Sequence, residues 1–239
     1  MDRLLDFFWN LSPAGAWFWC GVENVALFGL SLATGEALVR AFRRRPVTDP
    51  PAPLEAREIA LAALCVACNT VVTVAGWWLW RRGVIVVRRE TGWRAVLDAL
   101  VLLAAMDFAM YWLHRAAHWT PVYRMVHATH HRYDNPRPLN LFVLHPLEVF
   151  GFGALWLAVI SAYPSTWIGM SLYLALNLAF GTLGHLGVEP FPRNTGRWWG
   201  LRHVGTSTFH AGHHQDGGHN FGFYTLVWDR LFGTLRPEG

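Results

Sequence analysis

Residues 95–118 read AVLDALVLLAAMDFAMYWLHRAAH. The run is apolar for about the 20 residues that a helix needs to cross a bilayer, and it ends in two histidines. In a helix advancing about 100° per residue, Asp107, His114 and His118 fall within an arc of roughly 40°. One face of an apolar helix therefore presents a carboxylate and two imidazoles close to where the helix leaves the membrane.

Working outward from this stretch, residues 14–39 and 59–80 are also apolar over membrane-spanning lengths, as is 147–184. The last is broken at Tyr163-Pro164-Ser165 and reads as two short helices forming a hairpin that enters the membrane and returns. Composition agrees: 53% of the 239 residues are hydrophobic and only 15% are charged, too little polar surface for an ordinary soluble domain. Tryptophans gather near segment ends, at Trp77, Trp78, Trp80, Trp112, Trp119, Trp198 and Trp199, where amphipathic rings suit the headgroup level. The first apolar run is too long for a signal-peptide core and reads as an uncleaved helix.

The basic residues are all arginine, and the formal charge of +4 reads as membrane orientation. No recognisable reading element carries a basic patch, so nucleic acid is excluded as a partner. Cys65 and Cys68 form a CxxC inside an apolar segment without a second pair, which reads as small buried side chains. The arginine- and proline-rich stretch 43–53 is a loop between the first two helices.

The 12 histidines all lie after residue 113. Beyond His114 and His118 they form two HxxHH groups, His127-Ala-Thr-His130-His131 and His210-Ala-Gly-His213-His214. On a helix, spacings of three and four put the first and last members on one side, while the adjacent histidine diverges by about 100°. That divergence suits two metals side by side: one ion could take His127 and His131 while its neighbour takes His130, an assignment that spacing alone leaves open. Burying so many neutral imidazoles near a membrane is costly unless a cation organises them. Eight ligands exceed the three that a lone catalytic zinc commonly needs. Imidazole alone does not select iron over zinc, copper or nickel, but attack on an unactivated C–H bond in an apolar setting calls for oxygen and a redox-active metal.

Taken together, HxxxH, HxxHH and HxxHH in this order, with Asp107-Phe-x-x-Tyr-Trp-x-His114-Arg before the first, resemble the fatty acid hydroxylase and sterol desaturase superfamily. The resemblance extends to His145-Pro-Leu-Glu148, Gly184-His185-Leu-Gly187, Asn220-Phe-Gly and Trp228-Asp-Arg-Leu-Phe-Gly-Thr234, covering roughly residues 107–234. It implies a non-haem di-iron centre that uses O2 as a hydroxylase, desaturase or methyl oxidase on a sterol, fatty acyl chain or related lipid; no motif reports the choice between these, and hydroxylation is the favoured expectation. The ligands it implies are His114, His118, His127, His130, His131, His210, His213 and His214, joined by His185 and His145. His203 and His219 fall outside the pattern. Asp107, Glu148 and Asp229 are candidates to accept an N–H from a ligating imidazole and fix its tautomer.

The expected fold is all-α, a polytopic membrane helical bundle with a helical cap on the cytoplasmic side carrying the histidine groups. It forms a single domain over 1–239, with N-terminal apolar helices in 1–94 and a catalytic region in 95–239 that contains the hairpin at about 147–185. The hairpin returns the chain to one face, so every histidine group meets on one side. Most arginines then fall in loops on that side, whether residues 95–113 span or only dip, which places it in the cytoplasm. No haem or flavin domain is legible in the chain, so electrons are expected from a separate ferredoxin or cytochrome. The competing reading is a histidine-rich membrane zinc hydrolase or metal transporter, although a transporter would set its ionisable groups along a mid-membrane path.

Overall fold

The computed structural model describes residues 2–192 and 201–236; Trp198 and Trp199 lie outside the described residues. The protein is a multi-pass membrane helical bundle. A short helix α1 (Asp2–Trp9) precedes α2 (Pro13–Ala41), α3 (Ala56–Arg81) and α4 (Trp93–Ala117). The expected hairpin is α6 (Pro146–Ala162) and α7 (Trp167–Gly184), which turn at Tyr163-Pro164. Between α4 and α6 lie α5 (Thr120–Met125) and two 3-10 turns; α8 (Ser207–Gln215) and α9 (Val227–Leu231) follow α7.

Local signals set the helix ends. Ser12 caps α2 by accepting from the Gly15 amide, with Pro13 in the first turn where its missing N–H is harmless. Thr166 caps α7 through the Gly169 amide. Helices α2, α3, α4 and α7 are long and apolar enough to cross a membrane, and α6 is a shorter apolar helix. Their outer faces carry exposed Phe18, Val25, Leu30, Leu64, Leu100 and Leu172, the reverse of a soluble helix.

Helix α4 is the central element: 39% of its most apolar window is buried, against 11% for α2. It packs on α6 and α7, while α3 packs on α2 and α6. The core beside α4 gathers Leu102, Met106, Met110, Ile160, Tyr173 and Tyr224. Cys65 and Cys68 are free thiols packed with Ala62, Phe142 and Val149.

The two ends of the bundle differ. At one end, β1 (Val87–Arg88) and β2 (Ser165–Thr166) pair in parallel, tying the α3–α4 loop to the tip of the hairpin. Asp98 secures that junction by accepting from the Thr166 amide at 2.7 Å and the Tyr163 hydroxyl at 2.8 Å. At the other end, the end of α4, the start of α6 and the end of α7 converge with the 127–143 segment and α8. All the histidine groups sit there, as an even number of crossings between His145 and His185 requires.

Candidate metal centre

Nine histidines pack into two adjoining groups: His114, His118, His127, His131 and His213 in one, His130, His185, His210 and His214 in the other. Within each group every candidate ligand atom lies within 4.8 Å of the rest. Their elements differ. His114 ends α4 and His118 caps it, His127 opens a 3-10 turn, His185 caps α7, and α8 supplies the last three. Each HxxHH divides between the groups. His127 and His131 share one and His130 joins the other, while in α8 His213 parts from His210 and His214. The groups abut, with the His131 and His214 rings stacked at 4.7 Å.

Hydrogen bonds fix which nitrogen of each ring faces inward. His114 Nδ1 bonds to the Phe221 carbonyl at 2.9 Å, His185 Nδ1 to the Gly181 carbonyl at 2.8 Å, and His213 Nδ1 to the His219 carbonyl at 2.6 Å. His130 Nδ1 faces the Val143 carbonyl at 3.4 Å, and His127 Nδ1 meets Glu148 Oε1 at 2.6 Å. A carbonyl oxygen can only accept, so the Nδ1 atoms of His114, His130, His185 and His213 carry the hydrogen and their Nε2 atoms carry lone pairs.

The Nε2 atoms of neighbouring rings converge, and in the His130–His185 contact both carry lone pairs. His130 and His185 have Nε2 atoms 3.3 Å apart, His185 and His210 3.2 Å, His210 and His214 3.2 Å, and His131 and His213 3.1 Å. Among the described residues, buried His118 Nε2 and His127 Nε2 have no hydrogen-bond partner. Facing lone pairs and orphaned nitrogens are unfavourable on their own and favourable around a cation. Neighbouring nitrogens bound to one ion at about 2.1 Å stand about 3 Å apart, so the residues present fit metal.

Electrostatics points the same way. Burial first, and then the neighbouring imidazoles, hold His130, His210, His213 and His214 well below the usual imidazole range. Burial likewise lowers His131 to about 3. The cluster is neutral at physiological pH, which is the protonation state a metal requires.

The remaining candidates divide. Glu148 reaches a clustered ring, and its second oxygen is buried without a partner. His145 joins neither group; its Nδ1 accepts from the Leu147 amide at 3.2 Å, capping α6. Among the described residues neither Asp107 nor Asp229 hydrogen-bonds a clustered imidazole. Asp107 accepts from the Tyr224 and Thr225 amides, the Thr225 hydroxyl and the Trp228 indole. Asp229 accepts from the Phe221 and Gly222 amides and the Thr234 hydroxyl. Both carboxylates shape the 220–228 loop, whose Phe221 carbonyl then orients His114. Asn220 begins that loop at φ 60°, and at Gly222 a Cβ would stand 2.3 Å from the Thr225 carbonyl oxygen. The Phe221 ring packs edge-on to His114, His118 and His213. His203 lies by Arg202 and Arg230, and His219 bonds Asp216; both are outside the groups.

Sequence reasoning did not single out the cavity beneath the cluster. A space of about 490 Å³ opens on His114, His127, His130, His185 and His210 and runs between the helices to Trp80 and Val87. Its walls are mostly apolar, and its size and lining are those of a small-molecule site.

Fold and site together define a membrane helical bundle with a nine-histidine centre above an apolar cavity. The fatty acid hydroxylase family model matches residues 99–234, and the chain belongs to that family. Similar proteins include a Delta(7)-sterol-C5(6)-desaturase of Nicotiana tabacum, 30% identical over 62% of this chain and 53% of the relative. A lathosterol oxidase of Homo sapiens is 26% identical over 75% of this chain and 60% of the relative. A methylsterol monooxygenase of Aspergillus fumigatus is 31% identical over 58% and 47%. The chain thus spans about half the length of the curated relatives it matches. No solved structure matches.

Proposed function

We propose that this protein is an oxygen-dependent oxidoreductase that attacks a C–H bond of a lipid at a non-haem di-iron centre. One observation carries the reading: two adjoining histidine groups gather their ring nitrogens at the head of an apolar cavity that runs through the membrane bundle. One iron would be held by His114, His118, His127, His131 and His213, the other by His130, His185, His210 and His214. When bound, the pair would supply the redox chemistry that makes O2 reactive. The chain's own part is to hold the nine imidazoles neutral, five of them oriented through Nδ1 partners, to exclude water, and to present one substrate carbon to the centre.

Its relatives' names, sterol desaturase, lathosterol oxidase and methylsterol monooxygenase, support a sterol-like or other lipid substrate. Hydroxylation is preferred over desaturation, because an alkene requires a second hydrogen to be held in reach as well. The N-terminal helices α2 and α3 form part of the cavity wall, which supports one functional domain over the whole chain. Arginine distribution supports a cytoplasmic histidine cap, where a separate ferredoxin or cytochrome would deliver electrons.

The test is incubation of purified, iron-loaded protein with reductant, oxygen and a lipid extract of the host, followed by mass spectrometry. Products gaining one oxygen, or losing two hydrogens, are expected. If bound iron is demonstrably reduced and neither product forms, the oxygenase reading fails.

A further inference from the structure

Most of the cavity wall is apolar, but midway along the spanning helices it carries a belt of polar side chains: Glu23, an exposed residue, and Asn24 of α2, Asn69 and Thr73 of α3, and Asn177 of α7. Asn24 is used in packing, donating to the Cys20 carbonyl and to Thr73 Oγ1 at 3.1 Å. Asn177 receives the Tyr224 hydroxyl at 2.6 Å on its oxygen, and Asn69 has only a long contact to Cys65 Sγ at 3.6 Å. Among the described residues Glu23 has no hydrogen bond or ion pair, although it lines the cavity near the middle of a spanning helix. A carboxyl inside a membrane span is costly, and it marks a functional site when it faces a cavity instead of a protein partner. An apolar chain alone would gain nothing from this belt.

The belt's depth follows from helix geometry. Asn177 precedes His185 by eight residues on α7, about 12 Å at 1.5 Å per residue. Ser31 of α2 bonds Thr182 near the histidine layer, and Glu23 lies eight residues before Ser31. That places Glu23 about 16 Å from the histidines along the bundle axis.

Resting on the reading of this cavity as the lipid site, we infer that Glu23 and Asn69 bind a hydroxyl at one end of the substrate, which sets the oxidised carbon roughly 12–16 Å away. A hydroxyl can donate to the Glu23 carboxyl and accept from the Asn69 amide, whose one contact is the long one to Cys65 Sγ. In a 3-hydroxysterol the 5(6) bond is only a few bonds from the hydroxyl. A sterol seated in this way presents its remote half to the metals, not the position named for the desaturase relatives.

The experiment is competition in one sample. Iron-loaded protein in detergent receives an equimolar mixture of cholesterol and cholesterol 3-methyl ether, which cannot donate, and native mass spectrometry reads the ratio of bound masses. The wild type is expected to favour the alcohol about tenfold, as befits a hydrogen bond to a charged or strongly polar group. Glu23→Leu, which is more apolar and suits a membrane helix, should bring the ratio to about one, and Glu23→Gln should retain part of the preference. Equal binding of both probes by the wild type, or a preference that survives Glu23→Leu, overturns the inference and leaves the cavity as a lipid site. Failure of both probes to bind at all brings down the cavity reading and this inference with it.

Discussion

His127 Nδ1 and Glu148 Oε1 stand 2.6 Å apart with both side chains almost completely buried. The contact joins the 127–129 turn to the first turn of α6 and leaves His127 Nε2 free to face the cluster. A carboxylate in this position makes the imidazole a better ligand and fixes its orientation, and losing such a partner typically costs 10–100-fold in metal affinity. Glu148→Leu should therefore lower iron affinity roughly 10–100-fold, measured as iron retained during chelator titration, and Glu148→Gln should lie between it and the wild type. Equal retention by all three proteins would remove Glu148 from the centre.

His185 and His145 stand beside similar proline- and glycine-rich punctuation in the sequence, yet the structure separates them. His185 Nε2 lies 3.3 Å from His130 Nε2 and 3.2 Å from His210 Nε2, whereas His145 caps a helix. His185→Ala is expected to lose up to one iron per chain. His145→Ala should keep the full complement and cost about 1 kcal/mol of stability, the usual size of a lost cap. Iron counting by plasma mass spectrometry beside thermal melting distinguishes them; iron loss from His145→Ala would make it a ligand.

Much of this was legible in the residues, for a physical reason. Membrane helices announce themselves by length and apolarity, and the Tyr163-Pro164-Ser165 break predicted the hairpin because proline cannot continue α6. Histidine spacing also carried the division of His127 and His131 from His130, even though the first HxxHH folds as a 3-10 turn rather than a regular helix. What orients the rings was not legible. Four of the acceptors are main-chain carbonyls, of Phe221, Val143, Gly181 and His219, and a carbonyl has no signature in side-chain identity. Asp107 shares a helical face with His114, yet it turns to the 224–228 loop, which folds back over α4 from more than a hundred residues away. The polar belt was hidden similarly, because its members come from three helices and only packing brings them to one level.

Acid should destabilise the metal-free protein in a defined direction. The clustered histidines are held below their ordinary value near 6.5, His131 at about 3 and His130, His210, His213 and His214 well below the usual range. The unfolded chain therefore binds more protons than the folded one once pH drops below about 6.5, and stability must fall as pH falls. The melting temperature of chelator-treated protein should be flat above about pH 7 and decline steadily from there toward pH 4. A melting temperature that rises over this window would contradict the buried, neutral cluster.

Asp107 and Asp229 lead to a different outcome from the ligands. Each carboxylate gathers amide and side-chain donors from the 220–234 segment, so its loss leaves buried N–H groups unpaired instead of removing a metal bond. At about 1–3 kcal/mol for each stranded group, Asp107→Ala should cost on the order of 3 kcal/mol. The loop carries the Phe221 carbonyl that orients His114 and follows directly on the His219 carbonyl that orients His213, so both lose their anchor when it loosens. Asp107→Ala is thus expected to melt markedly earlier and to release both irons together as it unfolds, with near-full iron content at low temperature. Loss of a single iron from a protein of unchanged melting temperature would instead make Asp107 a direct partner of the metal.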